Sequence, residues 1–194
     1  MQGVLLVVCG PSGVGKGTIN KKLLESQDNL VNSISATTRK ARKNEQEGKH
    51  YYFITEAEFE KMIKENKFLE WAKVHGYYYG TPKKPVFDAL ESGLNVLLEI
   101  DVQGALQIKE NYEKSILIFL IPPSEEELER RLRHRGTEDD DEIARRLKTA
   151  EWELTMIDKF DYAIINDEVE RTYQEVIDIL ENHKEYNKRW LYVN

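Results

Sequence analysis

Gly10 to Thr18, GPSGVGKGT, constrains this chain more than any other stretch. It follows an apolar run, Val4 to Val8, and leads into a helical pattern. Its glycines admit backbone conformations that a side chain obstructs, so consecutive N–H groups can curl round an anion at the positive end of the next helix. Lys16 adds a mobile positive charge. The spacing is G-x-x-x-x-G-K, but Gly17 follows Lys16 where a serine or threonine is usual, and the hydroxyl comes one place later at Thr18. A glycine-rich turn that merely joined a strand to a helix would need neither the lysine nor the hydroxyl.

The apolar run is short, β-branched and continuous, as in a strand buried on both faces of a parallel sheet. Asn95 to Ile100, Ser115 to Ile121 and Tyr162 to Ile165 have the same character, with helical patterns between them. This alternation predicts an α/β fold, a parallel sheet of about five strands flanked by helices. Parallel strands deliver their carboxyl ends to one edge, so the loop at Gly10 and the acids Glu99 and Asp101 are expected to converge there.

Two stretches break the rhythm. Residues 33–81 are rich in turn residues, charges and tyrosines and read as an insert. Within it Thr55 and Glu58 have capping-box spacing, and Phe59, Met62 and Ile63 give the following helix an apolar face. Residues 124–146 read as a helical lid. Ser124 and Glu127 repeat the capping-box spacing, Leu128 and Leu132 share a face, Arg131 and Arg135 share another, and Gly136 ends the helix. Ile143, Leu147, Ala150, Leu154 and Ile157 then mark a second helix, which starts among acidic residues. Residues 1–32, 82–123 and 147–194 form the core, and its last helical pattern runs from Glu168 to Leu191.

A length of 194 residues suits one core with inserts, and a net charge of -7 argues against a protein that grips nucleic-acid polymers through a broad basic surface. The single cysteine, Cys9, excludes an intramolecular disulfide. With no apolar run near the ~20 residues that span a bilayer and no signal-peptide pattern, the expectation is a soluble, cytoplasmic protein.

The remaining chemistry concentrates in the insert. Arg39 and Arg42 are planar donors suited to phosphate oxygens, and tyrosine hydroxyls add neutral hydrogen bonds. A second anion site is implied. Glu70 offers a carboxylate that matches the adjacent N1–H and amino donors of guanine, and the hydroxyls of Ser35 and Thr81 can serve its O6, whereas adenine offers neither arrangement on that edge.

GPSGVGKGT, SATTRKAR, EGKHYYF, FLEWAKVHGYYYG, EIDVQG and RHRGTEDD, in this order over nearly the whole chain, closely resemble the guanylate kinase family. The resemblance implies a P-loop NTPase fold with an NMP-binding insert and a lid, transferring the γ-phosphoryl group of ATP to GMP with Mg²⁺. It implies ATP contacts at Gly10, Pro11, Ser12, Gly13, Val14, Gly15, Lys16, Gly17 and Thr18, with Asn166 beside the adenine. For GMP it implies Ser35, Glu70 and Thr81 at the base and Arg39, Arg42, Tyr51 and Tyr79 at the phosphate. Asp101 is similar to the acid that supports magnesium and the GMP site, and Glu99 stands where relatives often have aspartate. Lys16, Arg39, Arg131, Arg135 and Arg146 are the implied catalytic cations. Since Gly17 supplies no hydroxyl, the metal is expected to be held through waters, Thr18 or the phosphates themselves, with Asp101 the supporting acid that the resemblance implies.

Two readings compete with this one. A kinase for another monophosphate, or a P-loop hydrolase, shares the loop but not the guanine reader. Scaffold modules of the guanylate-kinase-like type bind peptides and have lost catalysis, whereas this chain keeps Lys16, a full loop and the lid arginines. Asp139, Asp140 and Asp141 read as a dipole-matched first turn rather than a metal site. His50, His75, His134 and His183 lack metal-ligand spacing.

Overall fold

The first apolar run is the middle strand of a sheet, and the rest of the chain is arranged about it. The computed structural model describes residues 2–74, 76–134 and 139–182. In chain order the elements are β1 (Leu5–Cys9), α1 (Lys16–Ser26), β2 (Leu30–Asn32), β3 (Ala36–Thr37), β4 (Tyr52–Phe53), α2 (Glu56–Lys64), β5 (Phe68–Val74) and β6 (Tyr77–Pro82). There follow α3 (Lys83–Glu91), β7 (Asn95–Glu99), α4 (Val102–Asn111), β8 (Ile116–Ile121), α5 (Glu125–His134), α6 (Asp140–Leu154), β9 (Tyr162–Ile165) and α7 (Val169–Asn182).

The main sheet has five strands in the order β2-β7-β1-β8-β9, all parallel. Every residue of β1 is buried, because helices cover both faces. Leu5, Val7 and Cys9 pack into one apolar layer and Leu6 and Val8 into the other, the period-two division of a strand. Winding proceeds from β1 out to β2 and β7 on one side and returns to β8 and β9 on the other. The loop after β1 therefore sits where the winding reverses, at the carboxyl edge of the sheet.

Residues 36–82 hold a second sheet that the sequence pattern did not reveal. It has four strands in the order β4-β3-β6-β5, with β3 antiparallel to β6 and β5 antiparallel to β6. Its apolar cluster is separate and small, Ala36, Phe59 and Phe68 with Tyr52 and Tyr78 against them. The Phe59 ring stacks on Phe68 at 4.3 Å and on Tyr78 at 5.1 Å between centroids. Helix α2 starts with both halves of the expected capping box, Thr55 with Glu58.

The pair α5 and α6 has its own cluster of Leu128, Leu132 and Ala150. Here the capping-box expectation is half met: the Glu127 N–H donates to Ser124 Oγ, while the Glu127 carboxylate accepts from Arg130 and Arg131. Three charge-assisted bonds, two from Arg130 and one from Arg131, outweigh one return bond to a backbone N–H. Asp139 caps α6 by accepting from the Glu142 N–H. Ile157 lies beyond α6, in a single 3₁₀ turn packed on the main core. Gly136 and the residues from His183 onward lie outside the described residues. Among those described, no helix is long and apolar enough to cross a membrane.

Candidate functional site

The backbone of Gly10 to Lys16 is shaped by close approaches that only glycine allows. Gly10 has φ 141 and a Cβ there would lie 2.5 Å from the Leu120 carbonyl oxygen. Gly15 has φ 106, and its missing Cβ makes room for the Asn166 amide, whose Nδ2 donates to the Val14 carbonyl at 2.7 Å. Gly17, by contrast, has nothing within 4 Å of a built Cβ. Its lack of a side chain is not a packing requirement.

The loop lines a cavity of about 360 Å³, whose wall combines Gly10, Ser12, Lys16 and Gly17 with the carboxylates of Glu99, Asp101 and Glu153. Lys16 Nζ donates back to the carbonyls of Gly10 at 2.5 Å and Pro11 at 3.1 Å. Asp101 is the N-cap of α4, accepting from the Gly104 N–H at 2.8 Å. Glu99 accepts from Asn20 Nδ2 at 2.8 Å. Thr18 is exposed in the first turn of α1, outside the cavity wall.

A second cavity of about 250 Å³ adjoins the first and shares Glu99, Ile100 and Asp101 with it. Its other walls include Ser35, Tyr51, Glu70, Tyr79 and Gly80. Glu70 lies across from Thr81 in the β5–β6 pairing, and its Oε1 accepts from the Thr81 hydroxyl at 2.6 Å. Burial pushes the Glu70 carboxyl up to about 7, and the Thr81 hydroxyl only partly opposes this. Thr81 is fully buried behind Glu70 rather than on the cavity wall. Its one hydroxyl proton is therefore already committed.

Arg39, Tyr51 and Tyr79 meet at the mouth. Arg39 Nε lies 3.3 Å from the Tyr79 hydroxyl, and its guanidinium carbon is 5.6 Å from the Tyr51 ring centre. Both of its Nη atoms are held by Glu45 at 2.9 and 2.8 Å, a bidentate pair. Glu45 also accepts the Arg42 backbone N–H, and these bonds, those of Arg39 first, hold its carboxyl down at about 2. The Arg42 residue is exposed. Glu45 thus sets the position of Arg39, a role sequence reading missed because the bond spans a six-residue turn with no periodic signature.

The arginines of α5 and α6 reach the loop differently. Arg131 donates to the carbonyls of Val14 at 3.0 Å and Asn166 at 3.1 Å, behind the loop. Arg146 donates to Ser12 Oγ at 2.7 Å, on the cavity wall. Arg135 lies outside the described residues. Asn166 is buried, and its Oδ1 has no hydrogen-bond partner. Glu153 is a second residue that sequence reading missed. Burial raises its carboxyl, Lys16 opposes the rise and Asp101 adds to it. Its signal was a carboxylate three residues after Ala150, on the apolar stripe of a helix.

A family model described as guanylate kinase matches residues 2–183. The guanylate kinase of Caldanaerobacter subterraneus subsp. tengcongensis is 52% identical over 90% of this chain and 85% of its own length. That of Clostridium tetani is 49% identical over 94% of this chain and 88% of its own. The crystal structure of guanylate kinase from Anaplasma phagocytophilum superposes with a TM-score of 0.73 at 38% identity, covering 97% of this chain and 89% of that one.

Proposed function

The chain belongs to the guanylate kinase family, and from that premise we propose how its residues divide the transfer of the γ-phosphoryl group of ATP to GMP. The observation that carries the reading is the wall of Glu99, Ile100 and Asp101 common to the cavity of Lys16 and the cavity of Glu70. A donor on the loop and an acceptor in the insert then meet across the carboxyl end of β7.

Glu70 reads guanine. Each carboxylate oxygen has two acceptor sites, so the bond from Thr81 leaves both oxygens able to receive the N1–H and amino donors. Thr81 orients the carboxylate, and Ser35 is the hydroxyl left for O6. Arg39, Arg42, Tyr51 and Tyr79 take the GMP phosphate, with Glu45 holding Arg39 beside Tyr79 and leaving one Nη2 N–H for a phosphate oxygen. On the donor side the loop amides and Lys16 take the ATP phosphates, Lys16 exchanging its carbonyl partners for phosphate oxygens. Asn166 Oδ1, a buried acceptor without a partner, suits the adenine amino group. Arg146, bound to Ser12 of the loop, takes the γ-phosphoryl group, and Arg131 steadies the loop from behind.

A GMP phosphate oxygen attacks the γ-phosphorus in line as the bond to the departing ADP oxygen breaks. The attacking phosphate is already ionised at neutral pH, so no general base and no covalent enzyme intermediate are needed. Lys16, the loop amides and the lid arginines stabilise charge spread over the transferring group, the arginines by a factor on the order of 10³. Closure of the insert, residues 33–81, and of the lid, residues 124–146, over the core excludes water, which would otherwise accept the phosphoryl group. The separate apolar cluster of the insert supports this division, while that of the lid, Leu128 and Leu132 with Ala150, extends the lid along α6 past residue 146. The buried, free Cys9 thiol is compatible with work in the cytoplasm.

The donor set also fits a magnesium ion. Among the described residues no group of three or more acidic, histidine or cysteine side chains could hold a metal directly, yet hard carboxylate oxygens line the phosphate cavity. That arrangement suits an ion that keeps most of its waters. Bound with ATP, magnesium supplies positive charge against that of the phosphates; Asp101 and Glu99 would hold it through water.

Glu70→Gln turns an acceptor into a donor facing a donor. Steady-state kinetics are expected to show kcat/KM for GMP falling on the order of 10²-fold with ADP affinity retained. Unchanged selectivity among monophosphates would remove Glu70 from the reading.

A further inference from the structure

Glu153 stands out among the groups to which the transfer reaction gives no role. It is only 8% exposed, yet it belongs to the wall of the phosphate cavity. Among the described residues its carboxylate makes no hydrogen bond or ion pair, and its backbone carbonyl only closes the end of α6. A buried carboxylate without a partner is costly, and one facing a site for polyanionic phosphates also repels the ligand. Both costs vanish if a cation lies between the carboxylate and the phosphates.

Among the described residues Lys16 is the one basic side chain in that wall, together with the carboxylates of Glu99, Asp101 and Glu153. Glu99 and Asp101 each have a protein donor, Asn20 and the Gly104 N–H. Glu153 has none. It also comes from a different element. Helix α6 carries Arg146, bound to Ser12, and Glu153 seven residues on, two turns along the same face. One rigid helix thus presents a cation to the rim of the loop and an anion to the interior of the cavity.

We propose that Glu153 is a positioning residue for the divalent cation that accompanies the donor nucleotide, holding it through coordinated water from α6. The inference rests on the donor-site reading above and extends it. Glu153 makes the cavity discriminate between metal-bound and metal-free nucleotide: without the cation it repels phosphates, and with the cation it attracts the complex. It also compensates for the hydroxyl that Gly17 does not provide, since part of the negative charge a cation needs comes from α6.

The test is ADP binding, measured by calorimetry with and without Mg²⁺, to the wild-type protein and to Glu153→Gln, which keeps the shape and removes the charge. The wild-type protein is expected to bind ADP more tightly with Mg²⁺. In Glu153→Gln that advantage falls about tenfold, because metal-free ADP binds more tightly and the magnesium complex more weakly. Binding of GMP alone, measured by the same calorimetry, serves as the control and stays within twofold of wild type. An equal change in both arms would assign Glu153 to Lys16 rather than to the cation and overturn the proposal. So would a higher melting temperature with an unaltered magnesium advantage, which a purely structural carboxylate predicts. If Glu153→Gln does not fold, the wild-type comparison still decides: ADP binding that is indifferent to Mg²⁺ contradicts the proposal. Because the readout is ADP binding alone, a failure to phosphorylate GMP would count against the donor–acceptor reading and not against this one.

Discussion

Glu70, the proposed reader of guanine, carries a thermodynamic cost. Its carboxyl is raised from 4.5 to about 7 by burial, so the folded state holds its proton more tightly than the unfolded chain does. The sign follows from linkage: its contribution to stability is fully present below pH 4.5 and is lost as pH rises through 7. The difference amounts to about 3 kcal/mol at most. Thermal melts of wild type and Glu70→Gln between pH 4 and 8 are expected to show wild type losing stability relative to the variant as pH rises, because the amide does not titrate. Parallel curves would mean that the carboxyl is not desolvated in solution. At this scale, residues whose chemistry complements a ligand were legible in the sequence. Glu70 could be inferred from the donors of guanine and Lys16 from the spacing of the loop. Residues whose work is to place another residue were not. Glu45 is identified only by its bidentate bond to Arg39, and the bond from the Thr81 hydroxyl to Glu70 is likewise visible only in the fold.

Elements differ in how strongly they announce themselves. Strand β1 and its neighbours β7, β8 and β9 were legible because strands buried on both faces are continuously apolar. The sheet of the insert was not, because β3 and β4 have two residues each, too few to show alternation, and their register depends on partners far along the chain. Strand β2, with three residues, escaped for the same reason. What holds the insert is a small aromatic cluster in which Phe59 is fully buried between Phe68 and Tyr78. Its β5 strand is tied to the core by Gln107 on α4, which exchanges two hydrogen bonds with the Trp71 backbone. Phe59→Ala is therefore expected to cost about 3–5 kcal/mol, concentrated in the insert. Hydrogen exchange should speed up across residues 36–82, KM for GMP should rise, and ADP binding should persist. Uniformly faster exchange through β1 and β8 would show instead that insert and core unfold as one unit.

At the scale of the whole molecule, the two cavities acquire meaning from each other. A phosphate loop alone serves motors, GTPases and kinases alike, and an arginine–tyrosine cluster alone is a solvated face more often than a site. The parallel sheet brings both to the end of β7, where Glu99, Ile100 and Asp101 form their common wall. Convergence at a sheet edge was legible from strand order. The shared wall required the register and the bend of the chain into the insert. The central claim is that one cavity takes the triphosphate and the other takes guanine in particular. The measurement that tests it most directly is a coupled assay of ADP production by the wild-type protein with ATP and each of GMP, AMP, CMP and UMP. The account predicts kcat/KM for GMP at least about 10²-fold above the other three. Equal or greater efficiency with AMP would contradict it.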